Sequence, residues 1–211
     1  MRRAPALLLV LLLAACGGGK KAAVSTTPNP TTTVATSATG CPVTGKQVMF
    51  ARLDPSKRYT VTLLTNLGAF AFALDVKDSP CTTSSFASLV RKKFFDGLTF
   101  HRIVRGFVIQ GGDPNGNGTG GPGYTVVDTP PANASYVRGV VAMAKTGAEP
   151  PGTSGSQFFV VTGANVGLPP DYALLGKVTR GLAVVERIGR LGNAYEHPTR
   201  RVVIRRMTVT P

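Results

Sequence analysis

The chain has 211 residues, 43% hydrophobic and 16% charged, with a formal net charge of +14. This suits one globular domain with extensions and excludes a wholly disordered chain. With three cysteines and two histidines, the sequence offers no metal-ligand cluster of useful spacing, so no metal and no other cofactor is expected.

Residues 1–15 read as an export signal. Arg2 and Arg3 precede an apolar run from Ala4 to Ala15, interrupted only by Pro5. The run is too short to cross a bilayer as a helix, which takes about 20 residues. It suits the apolar region of a secretory signal peptide. Its end, Leu13-Ala14-Ala15-Cys16, resembles the lipobox of bacterial lipoproteins. In that family the signal is cut before the cysteine, whose sulfur then carries a diacylglycerol. The resemblance implies lipidation at Cys16 and a protein held on the extracytoplasmic face of the cell membrane. Two acyl chains suffice for stable anchoring. A general signal peptide with a chance cysteine is the plainer alternative.

Residues 16–57 read as a linker and transitional segment. Up to Gly40 the chain is dominated by Gly, Lys, Ala, Ser, Thr, Pro and Asn, without Leu, Ile or any aromatic residue. Such a segment buries too little apolar surface to offset the entropy of ordering, so a flexible tether is expected. Lys20 and Lys21 follow the lipid site and suit anionic headgroups. With Cys16 assigned to lipid, Cys41 and Cys81 remain. A disulfide is favoured over two buried free thiols, since the compartment is oxidising and only one pairing exists.

The folded domain is expected over residues 58–211. Tyr59 to Leu64 and Ala69 to Leu74 read as strands, the second alternating Phe and Leu against Ala, with turn chemistry between them. Ser79-Pro80 reads as an N-cap followed by proline at the first helical position, opening a helix to about Lys92. Two short apolar runs, Leu98 to Val104 and Phe107 to Gln110, then lead into a glycine-dense loop ending at Gly121. Alternation puts Arg102 and Val104 on one face. A face carrying arginine, an aromatic ring and an amide suits a peptide-binding surface; the plainer reading is a buried hairpin with polar ends. Tyr124 to Val127, Gly139 to Ala144, Gln157 to Thr162, Tyr172 to Val178 and Arg201 to Val209 also read as strands, with a second helix from Leu182 to Ile188. Two helices among many short strands predict a mostly β fold, a closed antiparallel barrel.

Several single features carry less than they suggest. Gly116 to Gly121 spells G-x-G-x-x-G, but Pro122-Gly123 follows where a dinucleotide site needs a helix. Gly152-Thr153-Ser154-Gly155 misses the hydrolase elbow. Asp113 reads as a loop-stabilising residue and His101 as a structural hydrogen-bonding one. The positive charge is scattered apart from Arg200-Arg201 and Arg205-Arg206. A solvated basic surface or attraction to anionic envelope polymers is expected, and nucleic acid is not.

Phe100-His101-Arg102, Gly106-Phe107, Gln110-Gly111-Gly112-Asp113 and Gly118 to Gly121 closely resemble the signature of the cyclophilins. Ser154 to Phe159 and Leu175-Gly176-Lys177-Val178 follow in that family's order and approximate spacing. The resemblance spans about Tyr59 to Val209. It implies an eight-stranded antiparallel barrel capped by two helices, and peptidyl-prolyl cis–trans isomerase activity. It places the catalytic group at Arg102, with Phe107 and Gln110. Phe107, Phe159, Met143 and Leu168 would wall a proline pocket. Ala144 and Gly118 would line the neighbouring groove, supported by Gln157. Val108, Lys145 and Tyr172 complete the implied substrate-binding set. Gly167 and Tyr172 stand where the best-known eukaryotic members carry tryptophan and histidine, which bears on cyclosporin binding more than on catalysis. The expected partners are proline-containing peptides and unfolded exported proteins, met by a monomer held to the membrane by its lipid. A proline-peptide binding module of the envelope with little turnover is the alternative.

Overall fold

The computed structural model describes residues 35–36 and 40–211. The signal segment, Cys16 and most of the linker lie outside the described residues. Fourteen elements follow in chain order. They are β1 (Ala35–Thr36), β2 (Pro42–Gly45), β3 (Thr60–Thr65), β4 (Gly68–Leu74), α1 (Pro80–Arg91), β5 (Phe100–Val104) and β6 (Val108–Gly111), then β7 (Tyr124–Val127), β8 (Val140–Met143), β9 (Thr153–Ser154), β10 (Phe158–Val161), β11 (Leu174–Arg180), α2 (Leu182–Gly189) and β12 (Ile204–Thr210).

Eight strands form one antiparallel sheet in the order β12-β3-β4-β11-β8-β10-β6-β5. Its two edges meet. Gly97 N donates to Ile204 O (2.7 Å), Ile204 N to Leu98 O (2.8 Å) and Phe100 N to Val202 O (3.1 Å). Backbone groups that would be exposed along an edge are thereby paired, and the sheet curls into the expected barrel. The interior holds the rings of Phe72, Phe86, Phe95, Phe100 and Phe158. Phe86 and Phe158 meet edge to face at 5.6 Å, the geometry favoured by the ring quadrupole. Both helices close on this core: α1 through Phe86, Leu89 and Val90, α2 through Val185 and Ile188.

Tyr124 to Val127, expected in the barrel, forms a separate sheet in the order β1-β2-β7-β9. α1 lies between the two sheets, which explains why so many polar residues on it are buried. Ser85 Oγ pairs with Tyr124 Oη (3.0 Å) and Thr82 Oγ1 with Ser154 Oγ (3.0 Å). Ser84 Oγ donates to Pro80 O (2.5 Å) and accepts from Leu53 N (3.0 Å). Ser79 occupies the N-cap position, but its side chain makes no capping bond. Asp128, at the end of β7, supplies the acceptor for Thr82 N instead (2.5 Å).

Cys41 and Cys81 are disulfide-bonded. They sit in a small second core with Val43, Phe50, Tyr124 and Val126. Residues 41–57, read as transitional from the sequence, are thus packed: Phe50 and Leu53 are buried and β2 pairs with β7. Their sequence lacks periodicity because the segment is held by a crosslink and one short strand.

Candidate active site

Arg102 projects from β5, the edge strand of the barrel sheet, and its direction depends on an irregularity. In the β5–β6 register Phe100 faces Gly111, yet Arg102 faces Gln110. The extra residue between them, His101, is a β-bulge. Phe100 and Ile103 are three residues apart and would point to opposite faces of a regular strand. Both are buried in the barrel core. The bulge changes the parity between them and turns Arg102 outward, a common use of bulges beside functional sites.

Outside the barrel, Arg102 joins a chain of polar groups. Its Nε donates to Glu196 Oε2 at 2.6 Å and its Nη1 to Gln110 Oε1 at 3.2 Å. Gln110 Nε2 donates to Gln157 Oε1 (3.0 Å). Gln157 Nε2 donates to the carbonyls of Gly118 and Gly120, both at 2.9 Å. Gln110 and Gln157 are therefore oriented by what they bond. Gln110 turns its oxygen to Arg102 and its amide N–H to Gln157, and Gln157 turns its own N–H to the glycine loop.

An apolar cluster flanks this chain. It contains Val108, Tyr136, Val140, Ala142, Phe159 and Val161, with Phe107, Ala144, Leu168 and Tyr172 packed on it. Strand alternation builds it. In β8, Val140 and Ala142, with Ala144 just past its end, face the cluster while Val141 and Met143 face the barrel core; in β10, Phe159 and Val161 face the cluster while Phe158 and Val160 face the core. Met143, expected to wall the pocket, is therefore a core residue, 1% exposed. Its neighbour Ala144 is the one that reaches the surface. Val108, 2% exposed, forms the floor beneath Phe107.

Tyr172 stands edge-on to Phe159, ring centroids 5.5 Å apart at 84°. It is held there by Tyr136, whose hydroxyl donates to Tyr172 O (2.6 Å) and accepts from Tyr172 N (3.0 Å). Burial is the main force pushing the Tyr136 phenol up to about 12, so it remains a donor at all ordinary pH. Lys145 Nζ lies 5.5 Å from the Tyr172 ring centroid and is tethered to Glu149 O at 3.1 Å. Neither Tyr136 nor Glu196 was visible as a site residue in the sequence. Both lie in irregular loops with no motif to mark them.

Beyond Gln110 and Gln157 the surface opens into a second depression of about 870 Å³, lined by Gln110, Gly118, Ala144, Lys145, Glu149 and Gln157 among others. Asp113 shapes its wall. Its carboxylate accepts from the backbone N–H groups of Asn115, Asn117 and Gly118. Burial alone would raise the pKa of this carboxyl, but the three donors together hold it below the ordinary carboxylate range. Gly120 must be glycine, because a Cβ there would lie 2.1 Å from Asp113 Oδ1. Asp113 is thus a loop-former, as its sequence context implied. His101 differs from expectation: neither ring nitrogen has a hydrogen-bond partner. Its burial, partly offset by the Asp113 carboxylate, pulls its pKa below 6.5. Among the described residues no group of side chains could hold a metal ion.

Together these features offer one fixed guanidinium, an apolar platform beside it and an amide-lined groove. The arrangement is suited to holding a peptide and donating hydrogen bonds to it. Comparison with known proteins agrees with that geometry. The family model for cyclophilin type peptidyl-prolyl cis-trans isomerase matches residues 60–209. A peptidyl-prolyl cis-trans isomerase of Helicobacter pylori is 37% identical over 150 residues, covering 64% of this chain and 90% of the relative. A probable peptidyl-prolyl cis-trans isomerase B of Mycobacterium tuberculosis is 36% identical over 181 residues, covering 78% of this chain and 56% of that longer protein. Among solved structures, a Cryptosporidium parvum cyclophilin superposes with a TM-score of 0.66 at 27% identity, covering 74% of this chain and 99% of that one. With the family model matched over residues 60–209, which carry the barrel and both helices, the chain belongs to the cyclophilin-type peptidyl-prolyl cis–trans isomerase family.

Proposed function

We propose that this chain accelerates cis–trans isomerisation of X–Pro bonds in exported proteins while held by a lipid on Cys16 at the outer face of the cell membrane. The observation that carries the catalytic part is Arg102, fixed between Glu196 and Gln110 at the edge of the Phe107–Phe159 platform. Two further facts support it: relatives bear the isomerase name, and the Cryptosporidium parvum neighbour was also solved in the presence of the dipeptide Ala-Pro.

The chemistry needs no broken bond. An amide resists rotation by about 18–20 kcal/mol because planarity conjugates its nitrogen lone pair. At the twisted transition state that lone pair is localised and accepts a hydrogen bond; in the planar ground state it does not. A guanidinium placed against the prolyl nitrogen therefore binds the transition state selectively. Arginine suits this because it stays charged and its planar fork serves Glu196, Gln110 and substrate at once. One charged hydrogen bond contributes about 1.5–3 kcal/mol, or roughly one to two decades of rate. The remainder comes from the platform of Phe107, Phe159 and Leu168, which grips the proline ring and excludes the water that favours the planar amide. Gln110 and Gln157 hold the preceding backbone while the bond turns.

The lipobox-like Leu13-Ala14-Ala15-Cys16 after a basic, apolar start supports the anchoring part. The disulfide fits an oxidising compartment. The catalytic test is NMR exchange between cis and trans signals of an X–Pro peptide with the purified chain and with Arg102→Ala. The parent should drive exchange and the variant should lose at least tenfold, about 1.4 kcal/mol. Peptide binding without exchange would replace the isomerase reading with a binding module. For the anchor, Cys16→Ser should move the protein from membrane to soluble extracytoplasmic fractions; unchanged membrane retention would refute lipidation there.

A further inference from the structure

We infer that Glu196 is a positioning residue for catalysis, holding the Arg102 guanidinium so that its free edge faces the prolyl nitrogen. The inference rests on the isomerase reading and deepens it. Three independent features converge on this carboxylate.

The first is the contact itself. Glu196 Oε2 takes the Nε proton of Arg102 at 2.6 Å, while Gln110 Oε1 takes one from Nη1 at 3.2 Å. With Nε and one terminal nitrogen engaged, the guanidinium plane is set. Its remaining Nη2 edge is left for a ligand. A planar group held at two points cannot rotate about its own long axis, whereas the longer Gln110 bond alone leaves that rotation free.

The second is the loop that delivers the carboxylate. Residues 191–199 fold back on themselves. Asn193 Oδ1 accepts from Tyr195 N (2.9 Å) and His197 N (3.0 Å), and Asn193 N donates to His197 O (2.9 Å). Glu196 O then accepts from Ile103 N at 2.8 Å, docking the loop onto β5 beside Arg102. Gly192 lets the loop approach so closely: a Cβ there would lie 2.3 Å from Ile103 O.

The third is backbone strain at one residue. Glu196 has φ of 65°, one of two non-glycine residues with positive φ among those described. Glycine would fit this conformation better, and glutamate has no local side-chain bond that compensates. A strained residue persists when its side chain has work elsewhere. Among the described residues, the one hydrogen bond of this side chain is that to Arg102. Folding stability is a weak explanation, because the two side chains are 37% and 48% exposed and ion pairs so open to water contribute little to folding.

The test is steady-state isomerase kinetics of the purified full chain, with melting curves alongside. Glu196→Ala should lower kcat about tenfold, the scale of one charge-assisted bond misaimed, with KM changed less than about twofold. Glu196→Gln keeps an acceptor for Nε and should recover most of the lost kcat. Glu196→Gly relieves the strain, so it should melt at or above the parent temperature while losing kcat as the alanine variant does. In an Arg102→Ala background, Glu196→Ala should cost nothing further. NMR should show a slowly exchanging Arg102 Nε–H in the parent that is lost in Glu196→Ala. An active parent whose Glu196→Ala and Glu196→Gly variants match it in kcat would overturn this inference and leave the isomerase reading standing. An inactive parent would sink both. A kcat loss that merely tracks a loss of folded protein would also overturn it.

Discussion

Met143 offers the sharpest separation between barrel and pocket. Its side chain is 1% exposed and lies with Phe100, Phe158 and Leu175 inside the barrel. Met143→Ala removes three heavy atoms from a closed core, so lost transfer energy and a cavity add, at about 2–5 kcal/mol. For a domain of this size that is a fall of roughly 4–20 °C in melting temperature. The volume-conserving Met143→Leu should cost less than about 1.5 kcal/mol. Well below its melting point, the alanine variant should keep KM and kcat for an X–Pro peptide within about twofold, since no Met143 atom reaches the outer face. Phe159→Ala is the control from the same layer. It removes a ring from the platform and should lower kcat/KM by roughly 10- to 100-fold, the worth of about 1.5–3 kcal/mol of apolar contact. Thermal denaturation followed by circular dichroism, with exchange NMR on the peptide, reads both quantities. A Met143→Ala variant with parental stability and a KM raised tenfold would refute the assignment of facing by alternation.

Three other outcomes follow from the site and its supports. His101 has its pKa pulled below 6.5 by burial, so the unfolded chain takes up the proton first; stability should fall as pH drops below about 6.5. His101→Gln should flatten that part of a denaturant-midpoint-against-pH curve, and an unchanged slope would exclude the residue as its source. Asp113→Asn places an amide against the N–H groups of Asn115, Asn117 and Gly118, and should cost about 1–3 kcal/mol. It should also lower kcat/KM, because Gly118 and Gly120 carry the carbonyls that hold Gln157; parental kinetics would show that the loop does not set the groove. The disulfide closes a separation of 40 residues, which the chain-entropy treatment rates at roughly 4 kcal/mol. A Cys41→Ser, Cys81→Ser double variant should lose about 2–4 kcal/mol in urea melts, and equal midpoints would mean that the unfolded chain gains little freedom.

Much of the barrel was legible because its causes are local. The β3–β4 hairpin announces itself through alternating Phe and Ala around a Thr65–Gly68 turn, and the structure pairs Thr65 with Gly68. Both helices appear at their expected places, since proline at N1 and a 3.6-residue apolar spacing act within a few residues. The motif residues Arg102, Phe107, Gln110, Gln157 and Phe159 do converge on one face. Met143 against Ala144 was also within reach: adjacent strand residues cannot share a face.

Other features had no local trace. Sequence alternation orders faces relative to one another, but a single inserted residue reverses the order. Whether His101 is that residue depends on register with β6, which only the folded sheet decides. β7 has the composition of a barrel strand, and it leaves the barrel because Val43 and Ser154 are the partners that reach it. Glu196 meets Arg102 across 94 residues, and Tyr136 clamps Tyr172 across 36. The sequence alone determined which side chains were chemically able to bind and twist a prolyl bond. Their aim came from tertiary structure, because aim is set by long-range hydrogen bonds whose two ends share no sequence period.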